Sequence, residues 1–412
     1  MKPFAELSPS PRTILTPGPV EVDPRVLRAM SMPILGQFDP EFTALMNDTM
    51  CMLRQLFRTD NQWAYPIDGT SRSGLEAALV SLIEPGDKVL VPIFGRFGYL
   101  LQELSERCGA EVVVLEREWG SVFDPEEVIQ AIRRERPAIV AIVHGETSTG
   151  CVQPLADIGA ACMEYDALLV VDAVATIGGM PVETDAWSLD AVIGGAQKCL
   201  SVPSGMAPIT YNERVERKLL RRKRVERGLR AATGSDDVPA TIGGSAIRSN
   251  YFDLSQLQDY WSPLRLNHHT EMTSMLYALR EGVRIVLAEG LEARFARHRL
   301  QEAALVAGLS AMGLSLYGDP SRKLTCVTCV NIPMGVEGES VRAMLLGKFG
   351  IEIASSFGPL KGRIWRIGTM GYSCSTKNVL HFLGAFEAVL LRHGLALPAG
   401  AGVQAALDVY GD

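Results

Sequence analysis

The sequence predicts an α/β fold with a mainly parallel sheet in a large domain and a smaller C-terminal α+β domain. Three observations predict it. Short apolar runs alternate with amphipathic stretches through the middle of the chain. The runs are rich in Val, Ile and Leu with little polar alternation, as in strands covered on both faces. The pattern changes after Gly290. In order, strands are expected at 88–94, 111–115, 138–143, 168–171, 191–194 and 206–211. Helices are expected at 74–83, 98–108, 125–134 and 154–165. Residues 213–230 carry nine Lys or Arg with interleaved Glu, which reads as a solvated basic helix. Residues 232–250 read as a long irregular loop. Helical spacing resumes at 271–289 and continues at 291–312. Strands at 314–317 and 323–332, a helix at 340–349, strands at 351–355 and 364–367, and a helix from Thr376 complete the smaller domain. The division is therefore an N-terminal arm (1–20), a large domain (21–290) and a small domain (291–412).

Composition narrows the function. The 412 residues carry a net charge of −7, which argues against nucleic acid as the main partner. The segment MKPFAELSPSPRTILTPGPV has no apolar h-region. No apolar run reaches the ~18–20 residues that span a bilayer. The expectation is a cytoplasmic protein with no membrane partner. The eight cysteines are scattered and form no disulfide framework. Cys326 and Cys329 have CxxC spacing, but on a strand residues three apart face opposite ways, so no metal site is expected.

Four segments carry chemistry. Asp68-Gly69-Thr70-Ser71-Arg72-Ser73-Gly74 precedes a helix, whose free N–H groups and dipole favour an anion. Asp172 ends a buried strand, at the edge where open α/β sheets bind ligands. Lys198 follows the strand Ala191–Ile193 and two glycines, 26 residues after Asp172, and a lone Lys there is unusual for a structural role. His144-Gly145-Glu146-Thr147-Ser148-Thr149-Gly150 offers hydroxyls at the same edge.

Together with TPGP (16–19), NHHT (267–270) and WRIG (365–368), these motifs resemble class V aminotransferases, a branch of the fold-type I pyridoxal-phosphate enzymes. The resemblance runs over nearly the whole chain, in order. It implies a seven-stranded, mainly parallel sheet and pyridoxal 5'-phosphate as cofactor. Lys198 would carry the cofactor covalently and then move a proton between substrate and cofactor carbons. Asp172 would keep the ring nitrogen protonated. Thr147 would bond the ring hydroxyl and Phe97 would stack on the ring. Thr70, Ser71, Arg72 and Gln197 would hold the phosphate. Asn267 and Thr270 would reach the phosphate of a neighbouring subunit, which implies a homodimer with active sites at the interface. Arg366 would clamp the substrate carboxylate.

Within the family, the chain is similar to alanine– and serine–glyoxylate aminotransferases. Gln37 and Asn267 resemble the ureidoglycine–glyoxylate branch, which serves purine breakdown. That branch moves the amino group of (S)-ureidoglycine to glyoxylate and yields oxalurate and glycine. Two primary amides can satisfy both donors and acceptors of a ureido group. Alanine or serine as donor is the alternative. A lyase such as a cysteine desulfurase is a further one, and it needs a mobile nucleophilic Cys, for which Cys374 is the only loop candidate.

Overall fold

The computed structural model describes residues 4–224, 226 and 244–411. Its main sheet has seven strands: β1 (Trp63–Gly69), β2 (Lys88–Ile93), β3 (Glu111–Glu116), β4 (Ile139–Val143), β5 (Leu168–Asp172), β6 (Ala191–Ile193) and β7 (Gly205–Tyr211). Their spatial order is β1-β7-β6-β5-β4-β2-β3. Only β7 runs against the rest. Every residue of β4 and β5 is buried, as apolar strands between two helical layers must be. β3 lies at one edge and exposes Glu111, Val114 and Glu116.

Strand β1 is not among the predicted elements. Pro66 reads against a central strand, but β1 is an edge strand, and Pro66 stands opposite Pro208 in the register. The helices Pro24–Met30 and Pro40–Phe57 were likewise not expected. Each starts with Pro in its first turn, after an Asp whose carboxylate accepts a main-chain N–H.

The C-terminal part builds a three-stranded antiparallel sheet, with β8 (Val327–Asn331), β9 (Ala354–Ser355) and β10 (Ile364–Gly368) in the order β8-β10-β9. Three expectations need correction. The strand at 314–317 reduces to one bridge, Leu316 to Val330, because Gly313 and Gly318 turn the chain on either side with φ of 76° and 89°. The strand at 351–355 splits: Ile351–Glu352 pairs with Thr13–Ile14, and only β9 joins β10. The helix at 340–349 is α-helical over Gly338–Met344 and widens into a π turn over Leu345–Phe349.

The basic helix is observed over Glu213–Arg222, and part of its expected length, with most of the loop at 232–250, lies outside the described residues. It is not simply solvated. Lys218 pairs with Asp87 at 2.7 Å and Arg214 with Asp190 at 2.9 Å. Arg222 is buried and donates to the carbonyls of Ser81 and Ser245. These cations dock the helix on the body of the protein.

Three apolar clusters form among the described residues. One gathers side chains from Val26 to Val286, the second Leu15 with side chains from Ala304 to Ala406, and a smaller third joins Val20, Ala175 and Cys199 to Leu324, Cys326 and Met370. Among the described residues no helix is long and apolar enough to cross a membrane.

Candidate active site

The C-terminal ends of β1, β4, β5 and β6 open onto a cavity of about 220 Å³. Thr70, Ser71, Arg72, Phe97, Thr147, Asp172, Gln197 and Lys198 all line it. The sheet dictates this meeting. Parallel strands end on one edge, so residues just past each strand converge there.

Lys198 is almost fully buried. The turn Thr16–Pro19 lies over it, and its Nζ donates to the Pro17 carbonyl. A Cβ on Gly18 would stand 2.8 Å from Nζ, and the φ of 98° there favours glycine independently. Burial pushes the Lys198 amine down to about 8, and the Arg366 charge pushes the same way. Cys326, Asp172 and Cys199 oppose this. The result is an amine with a substantial neutral, nucleophilic fraction near neutral pH.

Asp172 ends β5. Burial raises its carboxyl to about 7, against the Val174 N–H that donates to Oδ1 at 3.0 Å. Glu146 raises it further and Lys198 lowers it. Oδ2 takes no hydrogen bond among the described residues, which leaves an acceptor for a cationic N–H in the cavity. His144 donates its main-chain N–H to the Asp172 carbonyl at 3.0 Å. Burial pulls its imidazole down to about 4, so the ring is neutral, with Nδ1 2.9 Å from the Thr176 hydroxyl.

The sequence analysis did not single out Glu146. Its carboxylate accepts the Phe97 N–H at 2.8 Å, the Ser148 N–H at 2.9 Å and the Ser148 hydroxyl at 2.7 Å. It thereby fixes the backbone that presents the Phe97 ring to the cavity. A Cβ on Gly95 would come within 2.2 Å of Glu146 Cγ, so only glycine fits there. The signal was an acid inside the HGETSTG segment, directly after an apolar strand.

At the other end of the cavity, Ser71 opens the helix Ser71–Leu82 and its hydroxyl donates to Gln197 Oε1 at 2.8 Å. Among the described residues no side chain caps this helix, so its first N–H groups are left free at the cavity with Thr70 and Arg72 beside them. An amine of lowered basicity, an isolated carboxylate, an aromatic wall and an uncapped helix start fit the chemistry of pyridoxal phosphate.

The remaining expected residues lie outside the cavity walls. Arg366, on β10, is buried and donates from Nε to the Ser355 carbonyl (2.7 Å) and from Nη1 to the Thr147 carbonyl (3.0 Å). Its guanidinium lies 4.7 Å from the Phe357 ring centroid, and its Nη2 takes no partner among the described residues. Gln37 Nε2 donates to Asn267 Oδ1 at 2.8 Å. Asn267 and Thr270 are exposed, so one chain alone does not bring them to its own cavity. Cys374 is buried, and burial pushes its thiol up to about 12, the opposite of a mobile nucleophile.

Comparison with known proteins bears on the whole arrangement. The family pattern described as Aminotransferase class-V matches residues 31–360. The chain is 67% identical over 405 residues to the (S)-ureidoglycine–glyoxylate transaminase of Bacillus subtilis, covering 98% of this chain and 97% of that one. It is 33% identical over 377 residues to the alanine–glyoxylate aminotransferase of Mus musculus, covering 90% and 86%. The crystal structure of ureidoglycine–glyoxylate aminotransferase from Bacillus subtilis superposes with a TM-score of 0.93 at 65% identity, covering 99% and 100%.

Proposed function

The chain belongs to the class V aminotransferases, and from that premise we propose that it moves the amino group of (S)-ureidoglycine to glyoxylate, giving oxalurate and glycine. The observation that carries this reading is the paired amides of Gln37 and Asn267, in a chain whose full-length relative is named for that reaction. Among the described residues Gln37 Oε1 is buried without a hydrogen-bond partner, and the Asn267 amide N–H groups donate to none. Together they offer an acceptor and donors to a ureido tail.

Pyridoxal phosphate supplies an electron-withdrawing ring when bound. The chain's own groups would do the rest. Lys198 would hold the cofactor and, as a free amine, would take the α-proton of the amino donor on Nζ and deliver it to the cofactor carbon. Asp172 holds the ring nitrogen protonated. Thr147 reaches the ring hydroxyl, and Phe97 covers the ring from a backbone that Glu146 fixes. The uncapped helix start with Thr70, Ser71, Arg72 and Gln197 takes the phosphate. Arg366 keeps free N–H donors for the substrate carboxylate.

The reading needs a homodimer, in which Asn267 and Thr270 face the partner's cavity. Ile34 and Phe38, close to Gln37 in sequence, and Leu264, close to Asn267, are 64%, 79% and 66% exposed, apolar surface suited to a second copy. It also keeps an arm (1–20), a cofactor-binding part (21–290) and a smaller part (291–412), with the two larger apolar clusters in support.

Replacing Gln37 with Leu tests the reading. An unpaired ureido group costs about 1–3 kcal/mol. Gln37→Leu is expected to lower kcat/KM for ureidoglycine roughly tenfold or more relative to alanine. An equal fall for both donors would remove Gln37 from donor selection and favour an alanine- or serine-specific enzyme.

A further inference from the structure

Outside the cofactor cavity, a second buried polar cluster joins residues far apart in sequence. Asp68 is near the end of β1, while His269 and Glu271 lie just before the helix Thr273–Glu289. His269 Nε2 is 3.2 Å from Asp68 Oδ2 and 3.6 Å from Glu271 Oε2. One donor atom from each of the three lies within 4.8 Å of the others. The side chains are 3%, 10% and 1% exposed for Asp68, His269 and Glu271. All four carboxylate oxygens lack a hydrogen-bond partner among the described residues. The Tyr260 hydroxyl, buried against the Glu271 carboxylate, also makes no bond of ordinary geometry.

We infer that Asp68, His269 and Glu271 form a binding site for a divalent first-row transition ion of the zinc or manganese kind. Three arguments support it. The first is spacing. Ligands held ~2.1 Å from one ion stand roughly 3.0–3.5 Å apart, close to the two separations seen here. The second is the orientation of the His269 ring. His268 Nε2 faces the Asn250 carbonyl at 3.1 Å and so carries a proton there. In the neutral ring His268 Nδ1 then accepts, and His269 Nδ1, 2.8 Å away, donates to it. His269 Nε2 faces the two carboxylates, which against the effect of burial push its imidazole up to about 9, so an ion entering here would displace the proton on Nε2. A ligand imidazole whose other nitrogen donates to an acceptor is the usual arrangement around a bound metal. The third is charge. Two carboxylates are buried here, and among the described residues His269 is their only ion-pair partner. A proton on Nε2 would balance one of them, whereas a divalent ion balances both.

The site is separate from the donor-selecting amides and does not depend on the substrate. It would tie two stretches together: Asp68 stands two residues before Thr70, and His269 and Glu271 flank Thr270. An ion there would fasten the chain's own phosphate-binding turn to the segment offered to the partner.

The test is a titration of tag-free holoenzyme, stripped of metals by a chelator, with Mn²⁺ alone. The free-ion electron paramagnetic resonance signal reads binding, and equilibrium dialysis with Zn²⁺ and elemental analysis repeats it. The expected result is one ion per chain. Asp68→Asn and Glu271→Gln should weaken binding at least about tenfold, and His268→Phe about 10–100-fold, while cofactor absorbance is retained. Wild-type protein that takes up neither ion would overturn the assignment, and that measurement depends on no variant folding. Binding that all three substitutions leave unchanged would overturn it equally.

Discussion

Burial disfavours the charge of Lys198 more than its acidic neighbours favour it, and that has a measurable consequence at the residue scale. Burial and the Arg366 guanidinium bring its amine down to about 8. Below that pH the amine is protonated and cannot attack an aldehyde; above it the lone pair is free. Cofactor-free protein should therefore take up pyridoxal phosphate faster as pH rises through about 8, then level off. Asp172 favours the protonated amine, so Asp172→Asn should move the inflection down. Borohydride reduction and peptide mapping should place the pyridoxyl group on Lys198. An inflection near the ordinary lysine value, or label on another lysine, would contradict the account. Both residues were legible in the sequence because a strand end is a local feature: an apolar run stops, and the next polar residue points into the edge. Gln37 and Asn267 were not legible in that way. They are 230 residues apart and meet through one hydrogen bond, so only the family resemblance connected them.

Between elements, the loop after β4 and the start of the helix Arg96–Arg107 are joined through Glu146. The carboxylate satisfies two buried main-chain N–H groups, so Glu146→Ala would strand both. Each stranded group costs about 1–3 kcal/mol. The variant should show a lower Tm and weaker cofactor retention, because the backbone of Phe97 loses its anchor. Unchanged Tm and unchanged cofactor absorbance would show that the loop holds itself. The sequence displayed this loop as a hydroxyl-rich motif but gave no sign that its acid reaches a helix 49 residues earlier. The same limit explains the misread elements. Pro66, Pro24 and Pro40 look like breakers in isolation, yet an edge strand and two helix starts accommodate them. The strand expected at 314–317 had suitable residues but too little length between two glycine turns.

At the scale of the whole molecule, the exposed Asn267 and Thr270 and the exposed Leu264 near them in sequence make sense on a surface that a second copy covers. Sedimentation at assay concentration should show at least a dimer, and a catalytically competent monomer would contradict the shared site. The mainly parallel sheet and the cavity at its edge were legible because β4, β5 and β6 announce themselves as continuous apolar runs. The choice of amino donor is the claim on which the rest converges. Its most direct test gives the purified enzyme glyoxylate with ureidoglycine generated in place, or with alanine or serine, and measures glycine formed per unit time. The account predicts that ureidoglycine is the fastest donor and that oxalurate accumulates one for one with glycine. Glycine formed as fast or faster from alanine or serine would contradict it.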